Sequence, residues 1–219
     1  MSVVGVVPAA GLATRLQPLE TSKELLEVGG RPVIDYLLER MRAGGADELR
    51  VVTRPEKADV IDHGRDAGAT VILGTPASAA ESFSLGVAGL DPGDLVLLGF
   101  PDTIWEPVDG YAHLVDQLGD DDAALGLFRT PDLSRSDVVV LSGEQVTGIA
   151  VKPEAPPSDL IWGCAAVRRS ALDGLARHTE AGTLLDELAK AGRVRGVYLS
   201  DSWVDIGTPE SLERARASA

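Results

Sequence analysis

Several stretches place charged side chains where the chain turns out of an apolar run. Val3–Val7 is β-branched and apolar, and it leads into Pro8-Ala9-Ala10-Gly11-Leu12-Ala13-Thr14-Arg15, with Lys23 eight residues on. Small side chains let backbone N–H groups approach an anion that bulky ones would hold off. A guanidinium at 15 can fork onto phosphate oxygens, and an ammonium at 23 supplies a compact counter-charge. The same residues also describe a flexible surface loop with incidental charge, and spacing alone leaves both readings open. Neither G-x-x-x-x-G-K-[ST] nor G-x-G-x-x-G occurs here. Further on, the apolar run Leu95–Phe100 delivers Asp102 to its C-terminal end, where ligands bind in open α/β sheets. Asp205 falls in Trp203-Val204-Asp205-Ile206-Gly207-Thr208. Each aspartate, taken separately, also reads as a turn or helix-capping residue. Lys152 ends the run Val146–Val151 and is one of only four lysines, with Lys23, Lys57 and Lys190, so lysine is not scattered freely here. A solvated strand-end lysine is its plain alternative.

These residues need a scaffold, and the apolar pattern supplies one. Strands are predicted at Val3–Val7, Leu49–Thr53, Thr70–Leu73 and Leu95–Phe100. Between them lie helices from Pro32 to the Gly44-Gly45 stop, over Pro55–Asp66 and over Ala79–Ala88. In the first helix Ile34, Leu37, Leu38 and Met41 keep the i, i+3, i+4, i+7 spacing of a buried stripe. Strand–helix alternation of this length implies parallel crossovers and an α/β sandwich. The pattern then changes to a strand at Ala123–Phe128, a hairpin of Val138–Leu141 with Val146–Val151, and a strand at Trp162–Val167. Helices at Ser170–Arg177 and Leu184–Ala191, a strand at Val194–Leu199 and a helix at Pro209–Arg216 complete it. Lys152–Asp159, with three prolines, reads as a rigid loop, and no repeat or linker divides the chain. One domain over 1–219 is expected, with 1–110 forming mainly a nucleotide-binding half and 111–219 mainly an acceptor-binding half.

The 219 residues carry 34 acidic against 20 basic side chains, a formal charge of −14. A chain this acidic is repelled by nucleic-acid phosphates and by anionic membranes, so neither is expected as a partner. The excess acid is local: residues 71–160 hold 15 acidic and 3 basic side chains, against 11 and 9 in residues 1–70. The phosphate-type cations Arg15 and Lys23 therefore lie in a near-neutral part of the chain. Cys164 is the only cysteine and reads as a small core residue; no disulfide or cysteine-rich metal site is possible within the chain. No run approaches the roughly 18 apolar residues of a membrane span, and the N-terminus lacks the shape of a signal peptide. A cytoplasmic protein is expected. His63, His113 and His178 form no motif, and Asp120-Asp121-Asp122 reads as a solvated loop.

Four motifs in order carry a resemblance. Gly11, Thr14, Arg15, Pro18, Leu19, Lys23, Leu25 or Leu26, Arg31 and Pro32 match the N-terminal signature of the nucleoside-diphosphate-sugar pyrophosphorylases, the sugar-1-phosphate nucleotidylyltransferases. Leu-Val-Leu-Leu-Gly-Phe-Pro-Asp at 95–102 resembles their second motif, in the Pro-Asp form of the UTP–glucose-1-phosphate members. The segment 202–215 resembles Trp-x-Asp-x-Gly-Thr-Pro/His-x-x-Leu. Lys152, Pro153, Ser158 and Gly163 match the stretch that grips the sugar phosphate. Four positions depart from the pattern: Ala13 stands at the second loop glycine, Ser22 at the proline before the lysine, Val151 at the glutamate that touches the sugar, and Asp159 at an asparagine. Leu73 and Ser78 occupy the base-reading glutamine and glycine slots, which leaves the base open.

The resemblance implies a Rossmann-like α/β/α sandwich of the nucleotide-diphospho-sugar transferase, GT-A type, with a mixed central sheet and a small β-hairpin elaboration. It implies Mg²⁺ held by Asp102 and Asp205, and Arg15 and Lys23 as catalytic cations on the triphosphate. Ala9, Ala10, Gly11, Leu12, Ala13, Thr14, Pro76 and Ser78 would bind nucleotide; Lys152, Ser158 and Gly163 would bind the acceptor. The implied reaction moves a nucleoside monophosphate from an NTP to a sugar 1-phosphate and releases pyrophosphate, in a monomer or small homo-oligomer. The chain ends soon after its last motif, like the short muramic-acid-1-phosphate uridylyltransferases and choline-phosphate cytidylyltransferases. The alternatives are a cytidylyltransferase for a non-sugar phosphate such as phosphocholine, a GT-A glycosyltransferase, and a non-catalytic nucleotide-binding regulator. Asp102-Thr103-Ile104 lacks the Asp-x-Asp usual in the glycosyltransferases.

Overall fold

A computed structural model describes residues 1–130, 133 and 135–218. The first half runs β1 (Val3–Pro8), β2 (Glu27–Val28), β3 (Arg31–Pro32), α1 (Val33–Ala43), β4 (Glu48–Thr53), α2 (Ala58–Asp66), β5 (Thr70–Leu73), α3 (Ala79–Gly86) and β6 (Leu95–Gly99). There follow β7 (Thr103–Trp105), α4 (Gly110–Gln117), β8 (Ala123–Arg129), β9 (Val138–Ser142), β10 (Gln145–Ala150), β11 (Leu160–Arg168), α5 (Ala181–Lys190), β12 (Val194–Ser200), β13 (Trp203–Asp205) and α6 (Pro209–Ser218).

Nine strands form one mixed sheet in the order β5-β4-β1-β6-β11-β8-β12-β10-β9. The β5, β4, β1 and β6 ladders are parallel, β11 is antiparallel to both β6 and β8, and β12 is parallel to β8. All of β6 is buried, as expected of a strand covered on both faces. One face packs α3 and α5, through Phe83, Ala80, Leu184 and Leu188, against Val4, Val6 and Leu98. The other packs α1, α2 and α4, through Ile34, Leu37, Met41, Val60 and Tyr111, against Val7, Val51 and Leu97. A third, smaller core joins α6 (Leu212, Ala215) to Leu16, Leu26, Val28 and Ile206. The expected α/β/α sandwich is thus observed, and the expected hairpin is β9–β10. That hairpin extends the main sheet, through the single pair Gln145–Arg195 to β12 and the pair Ile161–Val138 to β11.

One expectation is corrected. Residues 170–177 do not form a continuous helix: two 3₁₀ turns, Arg169–Leu172 and Leu175–Arg177, flank Asp173-Gly174. A strand also follows Asp102, where no element is predicted. β7 pairs antiparallel with β13, in the register Trp203–Trp105, Val204–Ile104 and Asp205–Thr103. Cys164 is buried in the core as expected, and burial pushes its thiol far above the usual range. Among the described residues, no helix is long and apolar enough to cross a membrane.

Candidate functional site

The chain passes from β1 to β4 and β5 on one side, then returns to β6 on the other side of β1. The loops after β1 and β6 therefore diverge at a topological switch point, where open α/β sheets leave a crevice. Lys23 and Asp102 meet there: Lys23 Nζ donates to Asp102 Oδ2 at 2.5 Å. Burial alone would lower the lysine's affinity for its proton. The Asp102 carboxylate outweighs it, helped by Glu24 and Asp205, so the ammonium is held above its usual range.

The β7–β13 ladder brings the second aspartate in. Ile206 N–H donates to the Asp102 carbonyl at 2.8 Å, so Asp205 is fixed beside the loop that carries Asp102. Arg15 converges on the same point. A Cβ placed on Gly207 would lie 2.9 Å from Asp205 Oδ1 and 3.4 Å from guanidinium nitrogens of both Arg15 and Arg135. Arg15, Lys23, Asp102, Asp205, Arg135 and Lys152 line one cleft of about 510 Å³. Phe100 and Trp162 form its aromatic floor, with ring centroids 5.4 Å apart. Arg135 has no counterpart in the sequence expectations, since no motif marks it. Lys152 lies beyond β10 with φ at 43° and is paired with Glu180, the residue before α5.

A neighbouring cleft of about 390 Å³ shares Lys23, Ser78, Phe100 and Asp102 with the first, and adds Ala10, Gly11, Leu12, Arg54 and Pro76. Ser78 is the N-cap of α3: its Oγ accepts from Glu81 N–H at 3.1 Å, while Glu81 Oε2 accepts from Ala77 N–H at 2.7 Å. Arg54 ties the two rims together by donating to the Ala10 and Pro76 carbonyls.

Behind the loop, Lys57 donates to the carbonyls of Ala9 (2.8 Å) and Gly11 (3.2 Å) and to Glu24 Oε2 (2.6 Å). Each carbonyl drawn inward turns the following N–H, of Ala10 and Leu12, the other way. Glu24 is wholly buried. Burial lifts its carboxyl above the usual range, although Lys57 and Lys23 pull it down. Lys57 was missed by motif, because it acts through backbone oxygens from the entry to α2.

Not every expected residue reaches a cleft. Ala9 is buried beneath the loop. Ala13 lines only the opposite face of the loop, with φ at 52°, and Thr14 is exposed outside both clefts. The Ser158 hydroxyl donates to the Val139 carbonyl at 2.5 Å, anchoring the entry to β11 rather than facing the cleft. Gly163 is buried at a bulge of β11, and a Cβ there would lie 2.1 Å from Trp203. Its lack of a side chain makes room for β13.

Two carboxylates on adjacent segments, with no group of three or more His, Cys, Asp or Glu among the described residues, form a sparse, hard-oxygen donor set. Such a set fits Mg²⁺, which keeps several positions for water and phosphate, better than a metal needing a full protein cage.

A parallel-start sheet with a small-residue loop at its switch point, faced by cations and paired carboxylates, defines an α/β nucleotide-binding fold of the nucleotidyltransferase type. Residues 5–193 match the MobA-like NTP transferase domain, and the chain belongs to that family. It is 28% identical over 242 residues to the UTP–glucose-1-phosphate uridylyltransferase AglF of Haloferax volcanii, covering 96% of this chain and 93% of that one. A Sulfolobus acidocaldarius protein, provisionally a mannose-1-phosphate guanyltransferase, is 27% identical over 226 residues; the chain spans only 62% of that protein's length. A Bacillus anthracis structure with sucrose bound, provisionally a glucose-1-phosphate thymidylyltransferase, aligns at a TM-score of 0.87 and 22% identity. The alignment covers all of this chain and 95% of that one, and it bears on the fold alone. The resemblance carried by the four motifs is borne out at the level of family and enzyme class.

Proposed function

We propose that the chain is a Mg²⁺-dependent sugar-1-phosphate nucleotidylyltransferase. The observation that carries it is the convergence of Arg15, Lys23, Asp102 and Asp205 at the β1/β6 switch point, in a cleft that Lys152 also lines. The relatives' names differ in nucleotide but share a hexose 1-phosphate acceptor, which supports the same acceptor class here.

Phosphoryl chemistry of this kind asks for positioning and charge neutralisation more than covalent help from the protein. The outward-turned N–H groups of the β1 loop, with Arg15 and Lys23, would hold the triphosphate and steady the departing pyrophosphate. Asp102 and Asp205 would hold Mg²⁺, which supplies charge neutralisation at the phosphates when bound. Lys152 would hold the acceptor phosphate in line with the α-phosphorus. Ala10, Gly11, Leu12, Pro76 and Ser78 would form the nucleotide side. No polar side chain at position 73 reads the base edge, so the base is open.

The test is pyrophosphate release with Mg²⁺ across all NTPs and dNTPs, against a panel of sugar 1-phosphates and phosphocholine. Release with a sugar 1-phosphate is expected, falling on the order of 10²–10³-fold in Asp102→Asn and Asp205→Asn. Full turnover in both variants would overturn the metal assignment, and release with phosphocholine alone would overturn the acceptor class.

A further inference from the structure

At the Lys152 end of the cleft, one carboxylate has an incomplete set of partners. Asp137 immediately precedes β9 and lines the cleft with Lys152, Trp162 and Glu180. Its Oδ2 accepts from the Trp162 indole at 3.3 Å. The carboxylate also lies against the first turn of α5, where a Cβ on Gly182 would come within 2.1 Å of Oδ2. Oδ1 is buried and has no hydrogen-bond partner among the described residues. A buried acceptor left this way is costly and calls for an explanation. Burial lifts the Asp137 carboxyl above its usual range. The indole opposes that, Glu180 adds to it, and Lys152 opposes it through both its charge and its backbone N–H.

We propose that Asp137 reads the acceptor, its carboxylate accepting a hydrogen bond from a donor-bearing ring substituent, a hydroxyl or an ammonium. The inference rests on the transferase reading above, which puts the acceptor phosphate on Lys152. Asp137 and Lys152 line the same cleft end, so a molecule held by its phosphate on Lys152 lays its ring towards Trp162 and Asp137. The carboxylate is preorganised, wedged between an indole N–H and a helix turn. Charge favours a donor as well: when Lys152 turns from Glu180 to a phosphate, Asp137 and Glu180 lose their cation. Of the polar groups nearby, Asp137 is the one already held in place by neighbours that the phosphate does not displace. Glu180 holds Lys152 only until the phosphate arrives, and the Ser158 hydroxyl is spent on Val139. Val151, next to Lys152, is apolar and outside the cleft lining.

The test uses the full chain with Mg²⁺ and its best NTP. Glucose 1-phosphate is compared with its 2-, 3- and 6-deoxy analogues and with glucosamine 1-phosphate, in the wild type and in Asp137→Asn. The wild type is expected to lose at least tenfold in kcat/KM when the substituent being read is removed. Asp137→Asn should compress that ratio to within about threefold and leave the KM for NTP unchanged. Loss with one deoxy analogue identifies a hydroxyl. A preference for glucosamine 1-phosphate that vanishes in the variant identifies an ammonium. Asp137→Asn scaling every acceptor by one common factor, or changing none, overturns the proposal, as does a wild type that does not discriminate. Calorimetric binding of the same panel separates the two readings. Discrimination in binding without pyrophosphate release retains Asp137 and overturns the transferase; release without discrimination does the reverse.

Discussion

Ser22 replaces the proline that the resemblance places before Lys23, and its neighbours show what the replacement achieves. Ser22 donates to Asp59 through both its N–H (2.7 Å) and its hydroxyl (2.8 Å), and Thr21 donates at 3.1 Å. Proline has no N–H and could not make the first bond. The strut fixes Thr21-Ser22 to the start of α2, one residue before the cleft lysine. Burial would raise the Asp59 carboxyl, but these donors with the Val60 N–H outweigh it and hold it below the usual range. A depressed carboxyl contributes stability above its unfolded value, and that contribution is lost as pH falls through the folded one. Asp59→Asn is therefore expected to cost about 1–3 kcal/mol at pH 7. It should also flatten the decline in stability as pH falls from about 4, the ordinary aspartate value, through the lower folded one; urea denaturation at pH 7 and across that acid range reads both. Ser22→Pro should also destabilise, although the backbone there, at φ −60°, already suits proline. A stabilised Ser22→Pro, or an unchanged acid limb in Asp59→Asn, would remove the strut. Ala13 is the opposite case. At φ 52° it occupies a conformation that costs a Cβ-bearing residue roughly 1–2 kcal/mol, which explains a glycine slot there without appeal to ligand crowding. That Arg15, Lys23, Asp102, Asp205 and Lys152 share one cleft was legible because a motif marks each of them. Lys57, Asp59, Asp137 and Arg135 were not, since each acts through contacts between segments far apart in sequence.

At the scale of elements, long strands with apolar periodicity were read to within a residue or two, Thr70–Leu73 among them. Three-residue strands are too short to show a period, and for that reason the β7–β13 ladder went unread, although it is what joins the two aspartates. Its position depends on Gly163. Trp203 opens β13 and packs on Phe128, with ring centroids 4.9 Å apart, in the space a side chain at 163 would fill. Gly163→Ala should push Trp203 outward and carry Asp205 with it. A stability loss of about 1–3 kcal/mol is expected, as for other overpacked sites. If Gly163 serves the ladder, the Mg²⁺ concentration for half-maximal turnover should rise while the acceptor KM holds. A raised acceptor KM with unchanged Mg²⁺ dependence would instead return Gly163 to the acceptor site that sequence reasoning assigned to it.

Across the whole molecule, the −14 charge argued against polyanionic partners, yet the cleft opposes positive to negative groups within one space. Lys23 is paired to Asp102 and Lys152 to Glu180. Of the three cations proposed to bind phosphate, the two lysines are thus already neutralised, and phosphate must displace a carboxylate to reach either. At the switch point Asp102 would serve either Lys23 or the metal, so a Lys23 that turns to phosphate leaves its carboxylate for the metal, and nucleotide and metal binding would assist each other. That coupling separates binding from turnover in a way simple loss of a ligand would not. In Asp102→Asn, Lys23 loses its partner and is free for phosphate. The variant is expected to bind NTP in EDTA at least as tightly as the wild type, by up to several-fold, and to gain less from added Mg²⁺. Its Mg²⁺-dependent turnover should still fall by the amount expected for a lost metal contact. Calorimetric titration of NTP with and without Mg²⁺ reads the difference. Asp102→Asn binding metal-free NTP more weakly than the wild type would mean that Asp102 orients Lys23 for phosphate instead of restraining it.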